Sequence, residues 1–333
     1  MIRVAVVGYG YWGPRVVRNI HRHNPLELKT ICDQSPKALK RAREDYPDVN
    51  LSSDIDEVLS SPDIDAVFIV TPVWTHFEFA QKALQNGKHV WVEKPFTANS
   101  DQAQTLIDLA DSRGLIIMVD HTFLFTGAVR KIRELIDDKT LGPLYYYDST
   151  RVNLGLFQHD VNVVWDLAPH DLAILDYLVS DRPEAVVATG QSHLNGLEDM
   201  AYITIYYSGK MIAHVNVNWL SPVKVRTTLL GGEKKMLVWN DLEADEKLRV
   251  YDKGVKLTSQ ASVYDLLVSY RSGDMWAPRV DGSEALTTET AYFAKCVSDG
   301  LRPINDGVSG YRVVRLLEAA NESIKNRGRF VTL

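Results

Sequence analysis

The stretch Arg3-Val4-Ala5-Val6-Val7, followed at once by Gly8-Tyr9-Gly10-Tyr11-Trp12-Gly13, decides how this chain folds. It reads as a buried β-strand running into a G-x-G-x-x-G turn that opens a helix. The first glycine makes the tight turn, the second lets backbone approach a pyrophosphate, and the third lets helix pack close to strand. The helix N-terminus offers N–H groups and a positive dipole end to phosphates. Asp33 closes a second strand over Leu26 to Cys32, twenty residues past Gly13, where it can hydrogen-bond the hydroxyls of an adenosine ribose. Strand, spacing and terminal acid agree, and the reading is a dinucleotide site that includes Gly8, Gly10, Tyr11, Trp12, Gly13 and Asp33.

Strands and helices alternate outward from this motif. Pro36, suited to a first helical position, starts a helix that reaches about Tyr46. The run Asp65 to Val70 is a strand ending at Thr71-Pro72, and the helix after it buries Phe77, Ala80 and Leu84 before Asn86-Gly87. His89 to Val92 is a strand ending at Glu93-Lys94-Pro95. Ser100 is expected to cap a helix with Ala103, Leu106, Ile107 and Ala110 on one face, stopped by Gly114. Leu115 to Val119 is one more strand, leading to Asp120-His121. The alternation predicts an α/β Rossmann domain over residues 1–121, with a parallel sheet covered by helices on both faces.

Ligands of such sheets bind at the carboxyl ends of the strands. Thr71, Pro72, His76, Glu93, Lys94 and His121 all fall at or just beyond those ends, although each alone also reads as a turn or surface residue. Asp33 repels the 2′-phosphate of NADP and Gln34 supplies no cation. NAD(H) is therefore favoured, with NADP(H) left open. Lys37, Lys40 and Arg41 read as a solvated helix face.

Past residue 121 the pattern changes. A helix over Thr126 to Asp138 is followed by a strand through Tyr145, Tyr147 and Arg151. Further β-rich runs cover Glu184–Thr189, Met200–Tyr207, Met211–Trp219, Lys224–Leu230 and Lys235–Trp239. Runs of strands predict an α+β domain over residues 122–333, built on a large, mostly antiparallel open sheet. Thr204, Tyr206, His214, Asn216 and Asn218 alternate with apolar neighbours, so one sheet face is polar. It is either solvated or packed against another subunit. Val313, Leu317, Ala320 and Ile324 mark a C-terminal helix.

The chain has 333 residues, 45% hydrophobic and 24% charged, with a net charge of −6. That balance is ordinary for a soluble globular protein, and the acidic surface speaks against nucleic acid or an anionic membrane as partner. Cys32 and Cys296 read as cytosolic thiols, and no stretch reaches the ~20 apolar residues of a membrane span. The N-terminus enters a core strand at once, so no signal peptide is expected and a cytoplasmic setting fits. No His, Cys or carboxylate cluster has zinc spacing, so no metal is expected. His21, His23, His159, His193 and His214 read as surface or sheet residues.

Two segments carry candidate chemistry. Lys94 sits between an acid and a proline, and a cis Lys94-Pro95 bond fits that dipeptide. A lysine so held could stabilise a developing alkoxide, or simply lie on the surface. Asp166-Leu167-Ala168-Pro169-His170 precedes apolar Leu172, Leu175 and Val179. Pro169 in a first helical turn would put His170 at a helix N-terminus, which keeps an imidazole neutral, as a base requires. Asp166 could orient it. A capping Asp and a structural His remain the alternatives.

Taken together, these residues resemble the glucose–fructose oxidoreductase, inositol dehydrogenase and rhizopine-catabolism (Gfo/Idh/MocA) family. The resemblance rests on Gly8–Gly13, Cys32-Asp33, Thr71-Pro72 with His76, Gly87-Lys88-His89-Val90, Glu93-Lys94-Pro95, and Asp166 with His170. It implies that Lys94, Asp166 and His170 are the catalytic lysine, aspartate and histidine. It also implies reversible oxidation of a sugar or cyclitol hydroxyl with NAD(P), in homodimers or homotetramers built through the open sheet. Arg151-Val152-Asn153-Leu154-Gly155 and Trp165 to His170 look most like the family's nucleotide-sugar 3-dehydrogenases and ketoreductases. On that likeness Lys94, His121, Arg151, Asn153, Asp166 and His170 are expected to meet the substrate. For Arg151 a strand-end salt bridge is the alternative. Val73 and Ala173 stand where many members carry Asn and Asp, which bears on substrate contacts. Rival expectations are a free sugar or inositol dehydrogenase and a non-catalytic dinucleotide-binding regulator, the latter having no need of Lys94, Asp166 and His170.

Overall fold

The computed structural model describes residues 1–22, 25–155, 157, 159–257 and 268–333, and His23 lies outside them. The chain divides into two compact units. One comprises Met1–Phe125 with Ser283–Glu318, the other Thr126–Gly282 with Ala319–Leu333. The return of a C-terminal segment to the first unit was not anticipated.

In the first unit the order is β1 (Ile2–Val7), α1 (Gly13–Arg22), β2 (Leu26–Cys32), α2 (Pro36–Asp45), β3 (Asn50–Ser52), α3 (Ile55–Ser60), β4 (Ala66–Ile69), α4 (Val73–Gln85), β5 (His89–Val92), α5 (Ser100–Arg113) and β6 (Ile117–Val119). A 3-10 turn, Thr122–Phe125, follows. The strands form a sheet ordered β3-β2-β1-β4-β5-β6, parallel throughout. The strand interiors are apolar because helices cover both faces. Val4 to Val6, Ala66 to Ile69 and Val90 to Val92 are all fully buried. Ser35 caps α2 by accepting from the Ala38 N–H, and Pro36 takes the first helical position as expected. The cap of α5 is Asn99, whose side chain accepts from the Gln102 N–H at 2.9 Å, so Ser100 is the first helical residue instead of the cap. Gly114 closes α5 in the left-handed conformation.

The second unit begins with α6 (Gly127–Asp137), β7 (Leu144–Leu154) and α7 (Val163–Leu178). Strands β8 (Pro183–Gln191), β9 (Met200–Tyr207), β10 (Ile212–Asn218), β11 (Leu220–Gly232), β12 (Met236–Asn240), β13 (Leu248–Leu257) and β14 (Val268–Trp276) follow. Helices α8 (Ala285–Asp299) and α9 (Gly307–Lys325) and the short β15 (Val331–Thr332) complete the chain. The second sheet is ordered β14-β13-β12-β11-β7-β10-β9-β8-β15. Its pairings are antiparallel except for β10 with β7. Ala201, Ile203, Ile205, Ala213, Val215 and Val217 point inward and are buried, while Tyr202, Tyr206 and His214 on the other face are exposed. Period-2 alternation on β9 and β10 made these strands legible.

Helix α8 belongs to the first unit because its Phe293 reaches the aromatic core. Phe68 of β4 stacks on Trp91 of β5 at 5.2 Å and meets Phe293 edge-on at 5.1 Å. Such pairs add ~0.5–1.5 kcal/mol each beyond the area they bury.

Candidate active site

The glycine turn has the shape its sequence requires. Gly8 has φ +99°, and a Cβ there would stand 2.5 Å from the Val70 carbonyl oxygen. A Cβ on Gly13 would stand 2.3 Å from the Gly8 carbonyl oxygen, whereas one on Gly10 would meet nothing within 4 Å. The loop is thus closed behind and open in front, the form a pyrophosphate needs. Gly13→Ala is expected to push the loop open and weaken NAD⁺ binding at least about tenfold, read by fluorescence titration. Unchanged affinity would mean the cradle is not used.

Asp33 is fixed in place. Its two carboxylate oxygens accept from the N–H groups of Tyr9 at 2.6 Å and Ser35 at 2.8 Å. Each oxygen keeps lone-pair capacity for a ribose hydroxyl. Arg41 is not part of an idle solvated face. It donates to the Gly10 carbonyl at 3.0 Å and to the Tyr9 carbonyl, and its guanidinium lies 5.0 Å from the centre of the Tyr9 ring. The Tyr9 hydroxyl donates to Asp45 at 2.9 Å. Helix α2 therefore clamps the glycine loop. Tyr11 and Trp12 are exposed, with the Arg15 guanidinium 4.5 and 4.8 Å from their rings.

At the end of β4, Thr71 and Thr75 share a hydroxyl contact at 2.6 Å, and Pro72 leads into α4. His76 is 1% exposed, with Nε2 2.7 Å from the Thr71 carbonyl and Nδ1 2.9 Å from the Pro95 carbonyl. Burial lowers its pKa. It lies between the Thr71 segment and the Lys94-Pro95 segment, and its neutral ring donates its one N–H to one of these two carbonyls. The Lys94-Pro95 peptide is cis, Glu93 is buried, and Lys94 is half-buried at the end of β5. His121, just past β6, is 1% exposed. Burial lowers its pKa to about 4, so its ring is neutral.

In the second unit the helix that carries Asp166 and His170 starts earlier than expected. Asn162 caps α7 by accepting from the Trp165 N–H at 3.1 Å. Pro169 lies inside the helix, and His170 is in its middle instead of at its N-terminus. The terminal-dipole argument for a neutral His170 does not apply, because the dipole effect is confined to the first and last turns. Asp166 is the residue in the first turn, and neither it nor Pro169 marks the start. Asp166 and His170, four apart, share one helix face. The Asp166 carboxylate accepts from the Trp219 indole N–H at 3.0 Å.

Arg151 is 4% exposed and Asp171, on α7, is 2% exposed. Arg151 Nε lies 2.5 Å from Asp171 Oδ2, and Ser149 donates to Asp171 Oδ1 at 2.6 Å. The strand residue is thus a partner in a buried ion pair between sheet and helix, as its alternative reading had it. Asn153, two residues further along β7, is half-buried. Sequence reasoning missed Arg41, Asp171 and Trp219, since each acts through a residue distant in the chain.

Comparison with known proteins places the chain. A family model described as an oxidoreductase family with an NAD-binding Rossmann fold matches residues 2–121, and the GFO/IDH/MocA C-terminal domain matches residues 129–238. The chain belongs to the GFO/IDH/MocA family. It is an oxidoreductase with that family's two-part fold, as the motifs implied. Among its relatives is a Bacillus subtilis scyllo-inositol 2-dehydrogenase (NAD(+)), 27% identical over 98% of this chain and 94% of that one. Another is the Acidithiobacillus ferrooxidans UDP-N-acetylglucosamine 3-dehydrogenase, 25% identical over 94% of each. The solved structure of GenD2 from gentamicin A biosynthesis, in complex with NAD, shares the fold. Its TM-score is 0.84 at 20% identity, over 100% of this chain and 96% of that one.

Proposed function

We propose that this protein is an NAD(H)-dependent oxidoreductase that interconverts a secondary hydroxyl and a ketone at C3 of a nucleotide-activated sugar. The observation that carries the reading is Lys94, half-buried at the carboxyl edge of the same parallel sheet that ends in the Gly8–Gly13 cradle. The cradle, Asp33 and the helix N-terminus behind Gly13 fit a dinucleotide, with Thr71 and Pro72 on the adjoining strand end. Bound nicotinamide supplies the two-electron acceptor or donor.

The protein's own part is proton and charge handling. The Lys94 ammonium donates a hydrogen bond to the substrate oxygen and stabilises it as negative charge develops. His170 takes the hydroxyl proton and returns it in the reverse direction. Asp166, on the same helix face and anchored by Trp219, orients this imidazole. Asn153 is assigned to the sugar, and His121 lines the Lys94 side of the site.

Preference for NAD(H) rests on Asp33, which carries negative charge where NADP has its 2′-phosphate, and on Arg41, which is engaged by the loop carbonyls. Asp33→Ala is expected to weaken NAD⁺ at least about tenfold while improving NADP⁺ relative to it. Equal loss of both would show that Asp33 shapes only the loop. A dimer or tetramer formed through the Tyr202, Tyr206 and His214 face is part of the proposal and is read by light scattering.

Support for a nucleotide sugar comes from the 3-dehydrogenase relative and from the Trp165–His170 segment. The inositol dehydrogenase relative favours a cyclitol as the second reading. Nicotinamide absorbance followed across nucleotide sugars, free sugars and cyclitols separates them. Turnover of nucleotide sugars alone supports the first reading, and turnover of inositols alone the second.

A further inference from the structure

A cluster of buried acids lies behind the Lys94 edge of the first unit. Asp120 follows β6, with its main-chain N–H donating to the Val92 carbonyl at 2.7 Å, and its side chain is buried. Glu289, brought from α8, is 0% exposed and hydrogen-bonded to Asp120. Thr122 donates its N–H to Asp120 Oδ1 at 3.2 Å and its hydroxyl to the same oxygen, and that hydroxyl lies 3.1 Å from Glu289 Oε2. Asn305 donates to Glu289 Oε1 at 2.9 Å and to the Val119 carbonyl at 2.7 Å. Glu93, at the end of β5, adds a further carboxylate close enough to act on Glu289, while Lys94 and Asp120 both act on His121.

Two ionised carboxylates cannot hydrogen-bond each other, so their contact requires a proton on one of them. Burial decides which, since Glu289 is 0% exposed against 7% for Asp120. Asp120 receives an N–H and an O–H from Thr122. Glu289 receives the Asn305 amide N–H on Oε1, and its Oε2 lies 3.1 Å from the Thr122 hydroxyl. Burial, with the Asp120 charge beside it, pushes the Glu289 pKa upward.

We propose that Glu289 carries a proton at neutral pH and, by donating it to Asp120, acts as a positioning residue that locks the end of β6 against the Glu93-Lys94 end of β5. The link to Lys94 rests on the oxidoreductase reading given above, but the proton does not.

The test is made on the full, ligand-free chain, so it does not depend on finding a substrate. A carboxyl whose pKa is raised on folding stabilises the fold fully below its unfolded pKa, and that stability is lost as pH rises toward its folded pKa. From roughly pH 5 up to the folded-state pKa of Glu289, the unfolding equilibrium constant of the natural protein should rise about tenfold per pH unit more steeply than that of Glu289→Gln. The amide matches the protonated acid in shape, donating to Asp120 and accepting from Asn305. Glu289→Gln should therefore fold, and Glu289→Ala should be the less stable of the two. The infrared stretch of a protonated carboxyl, present in the natural protein at neutral pH, should disappear in Glu289→Gln. Equal pH slopes, no change in that band, or failure of Glu289→Gln to fold while Glu289→Ala does would each overturn the proposal.

Discussion

Lys94→Ala is expected to bind NAD⁺ as the natural protein does and to turn over about 10²–10³-fold more slowly, the loss typical of removing one charge-stabilising donor. His170→Ala should lose about 10²–10⁴-fold, the range of a positioned general base. The two groups serve one proton-coupled event, so the double variant should be little slower than the worse single one. Lys94→Arg should rescue poorly. A guanidinium keeps the charge but presents it in a different plane and at a different reach. The measurements are kcat and KM on the substrate found by the panel, with cofactor affinity taken by titration. Either alanine variant retaining full turnover would remove that residue from the mechanism. Loss of cofactor binding in Lys94→Ala would instead mark a defect in the fold around the cis peptide.

Arg151→Ala is expected to destabilise the second unit by about 3–5 kcal/mol, because it strands the Asp171 carboxylate in a dry interior. Burial opposes the Arg151 charge, and Asp171 together with Tyr147 and Asp241 more than offsets it, so the guanidinium pKa is raised. Pairs of this kind can be exchanged for apolar residues of similar volume with little loss, and sometimes a gain. Arg151→Met combined with Asp171→Leu should therefore recover most of the stability that Arg151→Ala loses, as measured by urea unfolding. The double variant also separates the two readings of Arg151. Recovered stability with unchanged KM assigns Arg151 to the core alone, and recovered stability with raised KM assigns it to the substrate as well.

Much of the candidate cofactor site was legible because its signals are local. Gly8, Gly13 and Asp33 act within one βαβ unit, where spacing along the chain dictates spacing in space. Strands β9 and β10 were legible from alternation, and α2 from Ser35-Pro36. The start of α7 was misread because Pro169 looked like a first-turn residue. Asn162, a cap followed by the apolar Val163-Val164-Trp165, was the signal that outweighed it. Strands β3, β13, β14 and β15 were missed, β14 being interrupted in sequence by Arg271-Ser272-Gly273-Asp274. β3 and β15 are too short to show a period, and β13 is charged along its length.

By itself the sequence determined the parallel sheet, the glycine cradle, the acid at the end of β2 and the lysine at a strand end. In each of these, backbone geometry follows from neighbours a few residues away. Only the tertiary structure decided that Arg41 clamps the loop, that Arg151 is paired with Asp171, that His76 lies between two strand ends, and that Glu289 meets Asp120. Apart from His76 and Thr71, five positions apart, those partners stand 19 to 169 positions apart along the chain, beyond the reach of any local period. What brings them together is the burial of apolar faces such as that of Phe68, Trp91 and Phe293, which selects the packing. Only once that packing exists does a charge lose its water and need a partner.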